Sequence, residues 1–130
     1  MNKAIGFILC SLLAGVLSAS VASPGAAPDW SGTWQGKAVV GTFDDPMTLV
    51  LKASGETYAG TLQDEAGQIP AGTEIKDVQL LPKNVLKFSF QTVNGSGVEI
   101  TVTVDGETMK GEWVDAGHGE QGPVELARRK

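Results

Sequence analysis

The chain has 130 residues, 42% of them hydrophobic, with 10 Lys and Arg against 15 Asp and Glu, for a formal net charge of −5. An acidic chain without a basic stripe excludes nucleic acid and anionic lipid surfaces as partners. A single cysteine excludes a disulfide framework, and the length left after any leader allows one domain with one core.

The first element is a leader. Met1-Asn2-Lys3 is basic, Ala4 to Leu17 is almost wholly apolar, and small residues follow. This is the build of a secretory signal peptide over residues 1–22, cut after Ala22. The apolar run is too short for a membrane span, so the mature chain is expected to carry none. Cys10 lies inside that run behind the large Leu9, which does not fit a lipidation site. The mature protein is therefore expected to be cysteine-free and exported, periplasmic or secreted. Loss of Lys3 makes it one unit more acidic. Residues 23–29 read as a flexible lead-in and residues 30–130 as the folded domain.

Eight strands are predicted after the lead-in, each closed by a turn signal. The first runs from Gly32 to Val40, the second from Met47 to Lys52, and the third from Glu56 to Gln63. A loop through Pro70 and Gly72 leads to a fourth, Glu74 to Leu81, and Pro82-Lys83-Asn84 turns into a fifth, Val85 to Val93. Asn94-Gly95 and Asp105-Gly106 are hairpin signals of the type I′ kind. They bracket a sixth strand, Val98 to Val104, and open a seventh, Glu107 to Val114. The eighth is Pro123 to Arg129.

Most of these segments alternate cleanly. Leu86, Phe88 and Phe90 fall on one face and Lys87, Ser89 and Gln91 on the other; Met109, Gly111 and Trp113 oppose Lys110 and Glu112. The fourth strand breaks the pattern, because Ile75 and Val78 share a face only if a bulge lies between them. Sequential hairpins with one apolar face predict an all-β fold: an eight-stranded antiparallel up-and-down barrel. The polar outer face excludes an outer-membrane barrel.

A short pattern occurs three times: Thr33-Trp34-Gln35-Gly36, Thr57-Tyr58-Ala59-Gly60 and Thr108-Met109-Lys110-Gly111. In a strand the large residue and the Gly share a face, so each copy sets a bulky side chain beside an empty slot. That arrangement suits a tightly curved sheet, with Gly at a bend or a close approach.

At Gly32-Thr33-Trp34 the chain resembles the calycins. Lipocalins open their first strand with Gly-x-Trp and pack a basic residue from after the last strand over that Trp. The resemblance implies that Arg128 or Arg129 lies over Trp34 as a cation–π lid at the closed end of the barrel. From Trp30 to Lys130 the chain also resembles the small lipocalin-like β-barrel domains of exported bacterial proteins. It departs from the longer lipocalins in having neither a helix beside the barrel nor disulfides.

Trp34, Tyr58, Phe88, Phe90, Met109 and Trp113 are the candidate ligand-binding residues. An eight-stranded barrel is just wide enough to fill with side chains or to hold one small ligand, so the same residues serve equally as plain core. His118, the only histidine, lacks the partners that a metal or catalytic site needs. Asp44-Asp45, Asp64-Glu65 and Asp115 read as solvated turn residues. No serine sits in a nucleophile motif and no glycine run cradles phosphate, so no catalytic residue, metal or cofactor is expected. The expected function is the holding of a small apolar or amphipathic ligand at the barrel mouth, with loops around Asp44, Gly67 and His118 as its rim. The alternative is a filled barrel acting as an interaction, accessory or inhibitor module for a protein partner. An enzyme comes third.

Overall fold

The structure is a computed structural model and describes residues 29–129. The expected leader, its cleavage at Ala22 and most of the lead-in lie outside the described residues. Among those described, no helix is long and apolar enough to cross a membrane.

Nine strands form one antiparallel sheet: β1 (Gly32–Val40), β2 (Phe43–Ser54), β3 (Thr57–Asp64), β4 (Thr73–Glu74), β5 (Lys76–Leu81), β6 (Val85–Gln91), β7 (Gly97–Asp105), β8 (Thr108–Asp115) and β9 (Glu120–Arg128). Their order is β4-β3-β2-β1-β9-β8-β7-β6-β5. This is an up-and-down, nearly closed barrel, with β1 and β9 joining the two ends of the chain.

The expected count of eight is corrected to nine because the fourth predicted strand is broken. Thr73–Glu74 pairs with β3, whereas Lys76–Leu81 pairs with β6. Ile75 stands at the break, where its N–H donates to Gly60 O at 3.1 Å. Register slips between Lys76 and Gln79, and Asp77 takes a left-handed φ of 53°. One segment thus serves both edges of the sheet. The irregularity that turns it also lets Ile75 and Val78 both reach the core.

Turn chemistry departs from expectation at two hairpins. β7 and β8 pair through to Asp105 and Thr108, leaving Gly106-Glu107 as the loop, with positive φ at the glycine alone. That is the type II′ arrangement rather than I′. Asn94-Gly95 does not form a two-residue turn either. Pairing stops at Gln91 and Gly97, and Thr92 N donates to Ser96 O at 3.0 Å across a wider loop.

The repeated glycines explain the curvature. A Cβ at Gly36 would fall 1.9 Å from Glu125 O, at Gly60 1.9 Å from Val50 O, and at Gly111 1.9 Å from Thr101 O. At each point the backbone of the neighbouring strand occupies the space a side chain would take, which is how so small a sheet coils on itself. Inward residues of all the long strands then meet in a single core. Trp34, Leu49, Leu86 and Met109 are wholly removed from solvent.

Candidate functional site

The barrel has two unlike ends. At one lie the start of β1, the turns 55–56, 82–84 and 106–107, and the end of β9. At the other lie the turn 41–42 and the loops 65–72, 92–96 and 116–119.

The first end is closed. The Arg128 guanidinium stands 4.4 Å from the centroid of the Trp34 ring. Its Nη1 donates to Ser31 O at 2.6 Å, its Nη2 to Asp29 O at 2.9 Å and its Nε to Glu107 at 3.0 Å. Arg128 holds this position and Arg129 does not; Arg129 reaches Gln35 on the outer face instead. Trp34 Nε1 donates to Trp30 O at 2.9 Å. Trp30 stacks on Tyr58, with ring centroids 6.0 Å apart, and its N–H donates to the Tyr58 hydroxyl. A planar fork bonded to backbone carbonyls and laid on an indole joins the first and last strands at one point.

The second end is the mouth, and it contains a cavity of about 410 Å³. Its apolar wall includes Met47, Phe90, Val98, Ile100 and Trp113, with Ile69 from loop 65–72 at its edge. Of the six sequence-derived candidates, Phe90 and Trp113 line this cavity. Trp34, Phe88 and Met109 are fully buried lower in the barrel, and Tyr58 belongs to the closed end. The barrel is therefore filled in its closed half and hollow at its mouth. Trp113 is fixed by a hydrogen bond from Nε1 to Val39 O at 3.0 Å. The bare backbone of Gly122 lies beneath it, since a Cβ there would come within 2.8 Å of Nε1.

The polar part of the lining is acidic. Asp45, Asp64, Asp115 and Glu120 contribute to it, and among the described residues no basic side chain does. The reading of the first three as solvated turn residues is corrected. Asp45 lies within β2, two residues before the inward Met47, and is only 5% exposed. Asp64 ends β3 two residues after the inward Leu62, and Asp115 ends β8 two residues after Trp113 and is 8% exposed. Each occupies the next inward position of its strand, so the barrel interior finishes in carboxylates at its rim. Asp44, by contrast, points outward and pairs with Lys37 at 3.1 Å.

Backbone donors hold these acids in place. Ala66 N donates to Asp45 Oδ1 at 3.0 Å. Gly67 N and Ile69 N donate to Asp64 Oδ1 at 3.1 and 2.9 Å, folding loop 65–72 around that carboxylate. Gly117 N donates to Asp115 Oδ1, and His118 Nδ1 lies 3.1 Å from Asp115 Oδ2. His118 is itself largely exposed.

Burial, reinforced by the neighbouring Asp64 carboxyl, pushes Asp45 up to about 7, against the pull of the Ala66 and Glu65 N–H groups. Asp64 Oδ2 is buried without a hydrogen-bond partner. Two ionised carboxylates have no hydrogen between them, whereas a proton held on Asp45 gives the pair a donor. Among the described residues, no group of three or more His, Cys, Asp or Glu is placed to hold a metal ion.

No protein-family model matches the chain, and no curated protein matches it significantly.

Proposed function

We propose that this protein is a calycin-like, non-enzymatic carrier that holds a small amphipathic molecule in the cavity at the mouth of its barrel. The observation that carries the reading is the cavity itself, about 410 Å³, with an apolar wall below and fixed carboxylates above. Ligand sites have this size and make-up: roughly 300–1,000 Å³, mostly apolar, with a few placed polar groups. Arg128 over Trp34 supports the calycin part of the reading. The leader of residues 1–22 supports export to a periplasmic or extracellular setting.

The test is native mass spectrometry of the protein purified from its own compartment, followed by organic extraction. The expected result is a bound small molecule of definite mass. The reading is overturned by empty protein whose Trp113 fluorescence is unmoved by octanol, octanoate and octylamine alike. A Trp113→Phe variant assigns the signal to the cavity.

A further inference from the structure

We infer that the mouth cavity selects ligands whose polar end is a protonated amine with free N–H groups, received by the Asp64 and Asp115 carboxylates while the alkyl or aryl part lies against Phe90 and Trp113. The inference rests on the carrier reading and specifies the ligand class for that same site.

Three independent observations lead there. The first is the sign of the lining, which has four acidic side chains and no basic one among the described residues. In a partly desolvated cleft such a lining repels a carboxylate or phosphate headgroup and attracts a cation, with little screening by salt. The second is the unpartnered oxygen. Asp64 Oδ1 already accepts two backbone N–H groups, whereas Oδ2 is buried and accepts none. A buried acceptor without a donor is costly, and a ligand that brings an N–H recovers that cost on binding. The third is space. At ~30 Å³ for each water-sized group, the cavity accommodates on the order of a dozen non-hydrogen atoms. That fits an amine with a short chain or one ring and is too little for a long-chain lipid.

The rigidity of the acids strengthens the case. Asp45, Asp64 and Asp115 are each bonded by backbone N–H groups of the adjacent loops, so their positions are set before a ligand arrives. A quaternary ammonium has the charge but no hydrogen to give Asp64 Oδ2. An alcohol has a hydrogen but no charge. Only a protonated amine satisfies both demands, and charge-assisted bonds of this kind are the stronger ones.

The experiment is a calorimetric or fluorescence titration of the purified protein with octylamine, octanol, octanoate and octyltrimethylammonium at neutral pH. The expected order is octylamine tightest, at least about tenfold tighter than octanol, octyltrimethylammonium weaker than octylamine, and octanoate weakest. Asp64→Asn should narrow the gap between octylamine and octanol, which general attraction to an acidic surface would not do. Octanoate binding as tightly as octylamine overturns the inference and leaves the carrier reading standing. Octyltrimethylammonium equal to octylamine overturns the part played by N–H donation. Failure of all four to bind overturns the carrier reading and the inference together. The comparison of the four ligands on the unaltered protein stands even if Asp64→Asn does not fold.

Discussion

Replacing Asp45 by Asn should make the protein more stable at about pH 8 and change it far less at about pH 5. Burial and the facing Asp64 raise the Asp45 carboxyl from the ordinary 3.8 to about 7. Below the ordinary value the folded and unfolded chains both hold the proton, and the stability linked to it is fully present. Between 3.8 and about 7 the folded chain holds the proton and the unfolded chain has released it, so stability falls as pH rises. Above about 7 both are ionised and the loss is complete. Each pH unit in that window is worth ~1.4 kcal/mol. The wild type should therefore lose on the order of 2 kcal/mol between about pH 5 and pH 7 through this pair. Asn carries no charge at any pH, and its amide hydrogens donate to Asp64 as the protonated acid does. Urea denaturation at a series of pH values, with equal slopes for the two proteins, measures the difference. Stability–pH curves that run parallel for the wild type and Asp45→Asn would refute the buried, proton-sharing pair.

Two further substitutions test the frame that holds the site. Gly111→Ala places a Cβ 1.9 Å from Thr101 O and 2.7 Å from Val102 Cα, both backbone atoms of a paired strand that cannot swing aside. The expected result is a loss of about 3 kcal/mol or more, read as a lowered melting temperature or loss of soluble protein; wild-type melting would count against the close approach. Arg128→Ala removes the guanidinium from Trp34 and from two backbone carbonyls. It should cost about 2–3 kcal/mol by thermal melting. Arg128→Lys should recover little of that, because an ammonium cannot reproduce the planar fork.

Much of the barrel was legible in the sequence because strand alternation is a local property. Leu86-Lys87-Phe88-Ser89-Phe90 declares its inner and outer faces without help from the rest of the chain. Gly32-x-Trp34 and Arg128 were likewise readable as the closed end, and the repeated glycines as points of curvature. The acids of the mouth were not. Asp45, Asp64 and Asp115 stand beside turns, where acids are ordinarily solvated. Their burial depends on loop 65–72 folding back, with Ala66 N reaching Asp45 from 21 residues away. The local signal that would have found them is the alternation itself, continued one step past Met47, Leu62 and Trp113. Trp30 was missed as part of the closed end because it precedes the first strand; its place is set by Tyr58 and Trp34 rather than by any periodicity. The break at Ile75 was visible only as a clash of faces, since no glycine or proline marks Asp77, where the backbone turns left-handed.

The divided segment of residues 73–81 also bears on how this protein meets other copies of itself. A sheet edge with free peptide groups is a template on which another chain can add a strand. Among the described residues, both edges of this sheet fall on one stretch of chain, β4 on one side and β5 on the other. β4 is two residues long, and β5 opens with exposed Lys76 and Asp77 in an irregular backbone, which blunts the template. Beyond that point Leu80 and Leu81 are exposed on the same strand. Resistance to edge-to-edge aggregation therefore rests on this segment staying docked. Its loosening alone, with every flanking hairpin intact, is enough to turn a self-limited sheet into a surface for strand addition.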